Sequence, residues 1–116
     1  MENPDRFTKM TNEQLLLSVR LGNSIAFDAI FDRYWKQLYI RGHRILNDLT
    51  VLETIIQDVF SEFWKNIKKT YIADLEFHLL DEFLTKITEL YKTRKDLFKE
   101  PKRRNNLPKP PEASEG

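Results

Sequence analysis

Residues 50–64, TVLETIIQDVFSEFW, alternate apolar and polar positions with a helical rather than a strand period. Leu52, Ile55, Ile56, Val59, Phe60 and Phe63 recur every three or four residues, the spacing that lines one side of a 3.6-residue turn. Opposite them stand Glu53, Gln57, Asp58 and Glu62, with Phe63-Trp64 closing the stretch. Thr50 with Glu53 three residues on reads as a capping box, so this helix is expected to start at Thr50 and run to about Lys68.

The same period recurs on both sides of it. Thr11 with Gln14 forms another capping box and opens a short helix carrying Leu15, Leu16 and Val19, which Gly22-Asn23 stops. Ser24 is a cap for a long helix in which Ala26, Phe27, Ile30, Phe31, Tyr34, Leu38 and Ile45 hold one stripe, interrupted only by Gly42. After an Asn47-Asp48 turn and the helix above, Asp74 caps a fourth helix bearing Leu75, Leu79, Leu80, Phe83, Leu84, Ile87 and Leu90. No stretch reads as strand. The pattern predicts an all-α fold, a compact bundle of about four helices over residues 11–95, preceded by a flexible N-terminus at residues 1–10. From about Lys99 the chain holds four of its five prolines and almost no apolar residue, so residues 96–116 read as a disordered tail or interdomain linker.

Composition narrows the function classes. A chain of 116 residues that is 41% hydrophobic, with eight Phe, has material for one modest core and therefore one domain. Its net charge of +1 offers no global basic field, so any nucleic-acid contact must be local. The absence of Cys removes disulfides, thiolate metal sites and thiol nucleophiles, and an intracellular, cytoplasmic protein is the simplest expectation. No secretory signal pattern and no window near the length of a membrane span occurs, so no membrane partner is expected.

Enzymatic chemistry finds no foothold in the residues. His43 and His78 fall on different helices and neither has the two-His spacing with a carboxylate that hydrolytic zinc requires. Asp58 with Glu62, and Asp81 with Glu82, are carboxylate pairs without a nucleophile or metal partner, and three glycines build no phosphate-binding loop. Phe27, Phe31, Tyr34, Trp35 and Tyr39 follow the helical period and read as core rather than as a cofactor box. The expectation is a binding module with no cofactor and no metal, not an enzyme.

The order of elements over residues 12–67 resembles region 2 of the extracytoplasmic-function sigma factors. That region carries an acidic-apolar-apolar-Gln-acidic-Val-Phe string followed by a Trp, and here the string reads Thr54-Ile55-Ile56-Gln57-Asp58-Val59-Phe60 and then Trp64. Glu13, Leu15, Leu16, Gly22, Ala26, Phe27, Phe31, Arg33, Tyr34, Leu38 and Tyr39 fall in matching order. Thr54 stands where the family has a carboxylate, which removes one expected ionic contact.

The resemblance implies docking on a coiled coil of the largest subunit of core RNA polymerase through Glu53, Gln57, Asp58, Phe60 and Glu62. Those residue types suit basic side chains, since a carboxylate gives charge-assisted hydrogen bonds to Arg and Gln supplies donor and acceptor together. A solvated helix face is the plainer reading of the same residues. The resemblance also implies minus-ten promoter DNA at the fourth helix and the loop before it, where Lys65, Lys68, Lys69, Tyr71, Lys86 and Arg94 are the candidates. A Tyr among lysines can stack an unpaired base while the lysines track phosphates. Residues 71–91, however, hold one basic side chain, Lys86, against Asp74, Glu76, Asp81, Glu82 and Glu89, a poor surface for phosphate. Further basic residues gather at Arg33, Lys36, Arg41, His43 and Arg44 and at residues 92–104.

An anti-sigma factor is a further partner the resemblance implies. The family pairs this region with a C-terminal helix-turn-helix domain, so the chain corresponds to half a factor, either a fragment cut at the linker or a stand-alone module. Two readings stand: a sigma domain that binds core polymerase and takes part in minus-ten recognition and DNA melting, or a sigma-derived interaction module that has lost promoter recognition.

Overall fold

The structure, a computed structural model, describes residues 4–100. Its elements are α1 (Pro4–Thr8), α2 (Asn12–Arg20), α3 (Ser24–His43), α4 (Leu49–Asn66), α5 (Leu75–Thr93) and a final 3-10 turn, Lys95–Leu97. The all-α bundle expected from the sequence is what forms: α2, α4 and α5 pack around α3, with α1 against α3 and the 3-10 turn against α5.

α4 shows why. The six apolar positions of its stripe are the six residues it buries, and each removes side-chain area worth about 1.5–3 kcal/mol from water. α3 contributes Ala26, Ile30, Tyr34 and Leu38 to the core, and α5 contributes Leu75, Leu79, Phe83 and Ile87. The stripes are narrower than the sequence pattern implied: Phe27, Phe31 and Leu80 are half-buried, while Ile45 and Leu84 are exposed.

Helix starts follow the strongest local acceptor. The Thr11–Gln14 capping box is present in both directions, with Gln14 N donating to Thr11 Oγ1 and Thr11 N donating to Gln14 Oε1. α3 is capped one residue earlier than expected, by Asn23, whose Oδ1 accepts from the amides of Ile25 and Ala26. α4 starts two residues early because Asp48 accepts from Val51 N, so the Thr50–Glu53 capping box does not form. Asp is a stronger N-cap than Thr. Asp74 caps α5 as expected. Gly22 takes φ +88°, the left-handed turn between α2 and α3 that a side chain would strain.

Order extends beyond both expected limits. Within residues 1–10, read as flexible, Pro4–Thr8 is helical and Phe7 is 1% exposed. Arg33 fixes this turn from α3, donating to the carbonyls of Phe7 and Thr8 and to Asn12 Oδ1, while Asn12 Nδ2 donates to the Tyr34 hydroxyl. At the other end the packed chain continues past 95. Leu46 and Phe98 form an antiparallel bridge, Asn47 N donating to Leu97 O and Lys99 N to Ile45 O, and Leu97 is buried. The remainder of the expected tail, residues 101–116, lies outside the described residues.

Candidate docking face and basic loop

The outer surface of α4 has two edges. At 100° per residue, Glu53, Gln57 and Trp64 fall toward α3, and Asp58 and Glu62 fall toward α5, with Ser61 between them. Glu53, Gln57, Asp58, Ser61, Glu62 and Trp64 are exposed, whereas Phe60 is buried and supports the surface from below.

Beside Gln57 lies an open groove of about 290 Å³ lined by Phe27, Phe31, Gln57, Phe60, Ser61 and Trp64. Its floor is a pair of aromatic contacts across the α3–α4 boundary, Phe27 meeting Trp64 edge-on at 5.0 Å and Phe31 meeting Phe60 edge-on at 4.8 Å, while Trp35, outside the groove, stacks on Phe31 along α3 at 6.3 Å. Such ring pairs contribute beyond the area they bury and hold the groove's shape. Trp64 remains 38% exposed, so an apolar surface with one amide at its rim is open to a partner side chain. The sequence pattern assigned Phe27, Phe31 and Trp35 to the core. Their i, i+4 spacing along the flank of the α3 stripe, rather than its centre, is the signal that separates rim from core.

Of the basic loop candidates, Lys65 lies at the end of α4, and Lys68, Lys69 and Tyr71 lie in the α4–α5 connection. All four are exposed, Tyr71 at 85%. Ile67 and Ile72 anchor the loop in the core, and Arg20 of α2 clasps it, its Nη2 donating to Thr70 O at 2.9 Å and its Nε to Ile67 O at 3.3 Å. A loop tied at both ends presents Lys68, Lys69 and Tyr71 outward with little backbone freedom left to lose.

The other two candidate cations are held by carboxylates. Lys86 Nζ donates to Glu62 Oε2 at 2.9 Å, joining a residue expected to meet DNA to one expected to meet polymerase. The hydrogen bond to Glu62 holds the Lys86 ammonium above its ordinary pKa, with smaller help from the charges of Asp58 and Glu82. Arg94, the C-cap of α5, makes two bonds to Asp96, at 2.9 and 2.8 Å, which lower the Asp96 carboxyl. Lys65, Lys68, Lys69 and Tyr71 are therefore grouped, and Lys86 and Arg94 lie apart from them on α5.

A second hollow of about 100 Å³ sits under the loop, lined among others by Glu62, Asn66, Thr70, His78 and Glu82. His78 is half-buried with its ring 6.4 Å from that of Phe63, and His43 is exposed at the far end of α3. Among the described residues no group of three or more His, Asp and Glu side chains is arranged to hold a metal ion. No helix there is long and apolar enough to cross a membrane. Comparison with protein-family models, with curated proteins and with solved structures returns no match to this chain.

Proposed function

We propose that this chain is a docking module of the sigma region 2 type, which binds core RNA polymerase through the exposed surface of α4. The observation that carries the reading is the placement of Gln57 on the rim of the aromatic groove, with Glu53 on the same edge and Asp58 on the next. An apolar slot for one partner side chain beside an amide and two carboxylates suits a helix bearing both apolar and basic residues. DNA contact in this reading falls to the clasped loop, where Lys65, Lys68, Lys69 and Tyr71 combine charge with a stacking ring.

A second reading, an interaction module without promoter recognition, is favoured by the state of α5. Its candidate cations Lys86 and Arg94 are paired with Glu62 and Asp96, and the exposed remainder of the helix is rich in carboxylates. Binding of minus-ten single-stranded DNA in the presence of core polymerase separates the two. The first reading expects salt-sensitive binding that weakens when Lys68 and Lys69 become Ala. Polymerase binding without DNA binding selects the second, and an Asp58→Lys chain captured by core polymerase as well as wild type, with the groove also insensitive to substitution, shows the α4 docking face to be wrongly assigned.

A further inference from the structure

α5 carries more apolar surface than the core uses. Beyond the buried Leu75, Leu79, Phe83 and Ile87, its outer flank presents Phe77 at 65% exposure, Leu84 at 44% and Tyr91 at 48%, with half-buried Leu80 between them. Phe77, Leu80, Leu84, Ile87 and Tyr91 are spaced three, four, three and four apart, the seam of one helix packing along another. At the C-terminal end this flank opens into a groove of about 350 Å³ lined by Ile45, Ile87, Thr88, Tyr91, Phe98 and Lys99.

We infer that this flank is the interface of a two-fold dimer, with α5 of a second copy lying antiparallel across it and the axis passing near Leu84. Three features select a second copy in this orientation. Phe77 and Tyr91 are each seven residues from Leu84, about 10 Å along the helix, so an antiparallel mate sets each exposed Phe77 over the partner's Thr88–Tyr91 groove. The projecting ring and the receiving groove are thus on the same chain, as an isologous contact requires. The charges follow the same symmetry. Asp74, Asp81 and Lys92 are exposed along one edge of the flank, separated by seven and eleven residues. In an antiparallel pair the same edges meet, and Lys92 of one copy lies alongside the segment between Asp74 and Asp81 of the other. In a parallel pair Phe77 would face Phe77 and Lys92 would lie level with Lys92, leaving both grooves unfilled.

Sedimentation of the full chain across about 1 μM to 1 mM tests this, since a five-side-chain seam is small and mass action governs its population. A concentration-dependent dimer is expected. Leu84→Lys, at an exposed position, is expected to give a monomer of unchanged helical circular dichroism. Lys92→Glu is expected to weaken the dimer by about 3- to 10-fold, and Asp81→Lys in the same chain to restore it. Residues 81 and 92 lie about 16 Å apart on one helix, so rescue reports a contact between copies. A monomer throughout, which would leave the flank to some other protein, overturns the inference. So does a dimer indifferent to Leu84→Lys, or one that Asp81→Lys fails to rescue.

Discussion

Lys86 of α5 and Glu62 of α4 are joined at 2.9 Å across the hollow side of the bundle, so the acidic rim of one helix neutralises the one cation at the middle of the next. The pair ties α4 to α5 above the core to which the two helices contribute Phe63 and Phe83, and it withdraws Lys86 from any phosphate.

The pair is half-exposed, which limits its worth. Lys86→Met is expected to cost less than about 1 kcal/mol at neutral pH by chemical denaturation. Because Glu62 raises the Lys86 pKa, the folded chain holds that proton more tightly than the unfolded chain does. The contribution is therefore complete below the ordinary lysine pKa and is lost as pH climbs through the raised one. Wild type and Lys86→Met should accordingly converge in stability under strongly alkaline conditions, and a gap that instead widened there would refute the assignment.

Gly42 lies inside α3, where alanine ordinarily stabilises a helix by about 1 kcal/mol. Here the opposite is expected. A Cβ at position 42 would overlap Leu52 Cδ1 and come within 3.1 Å of Phe83 Cζ, both in the core. Gly42→Ala should lower stability by about 1–3 kcal/mol, the range for overpacking. Leu52→Ala made in the Gly42→Ala background should cost less than in wild type, because it removes the clash along with the contact, and thermal melts of the four chains measure that coupling.

Phe7 makes α1 part of the core. Phe7→Ala is expected to cost about 3–5 kcal/mol, as for other fully buried aromatic side chains. Arg33→Ala should cost less but release the same segment, since it removes the donors to Phe7 O and Thr8 O. Hydrogen exchange at the amides of residues 7–15 distinguishes this local opening from global loss, and unchanged protection in Arg33→Ala would mean that Phe7 alone holds the turn.

What the chain's pattern disclosed, and what it hid, follows from how many residues carry each signal. The α4 stripe was fully legible because six side chains repeat one period, and any single exception would have been outvoted. Phe7 was not, since one apolar residue among polar neighbours has no period. The Leu46–Phe98 bridge pairs residues far apart in sequence, and neither Leu46 nor Phe98 advertises the other. Caps were misplaced where two good acceptors stood close together, Asn23 beside Ser24 and Asp48 before Thr50, and in each case the earlier acceptor takes the first free amides of the helix. The candidate docking face was legible as residue types on α4, but the groove beside Gln57 needs α3 as well, and its Phe27–Trp64 contact is invisible to any one helix.

The two edges of α4 give the proposed docking face its sharpest consequence, because they can be altered separately without touching the core. Ser61→Arg would place a long cation over the aromatic groove, and Trp64→Ala would remove one of its walls. Asp58→Lys reverses charge on the edge toward α5. Asp58 and Ser61 are exposed, so stability should change there by less than about 1 kcal/mol, whereas Trp64→Ala also loses the ring contact with Phe27 and should cost about 1–3 kcal/mol, which a melt can establish first. If the groove receives an apolar side chain of the polymerase coiled coil, Ser61→Arg and Trp64→Ala should each weaken capture by core polymerase at least about tenfold, as loss of a buried anchor does. Asp58→Lys should act mainly through association rate and salt dependence, as a rim charge does. Loss with Asp58→Lys alone would move the contact to the α5 side and make Glu62, freed from Lys86, the next residue to test.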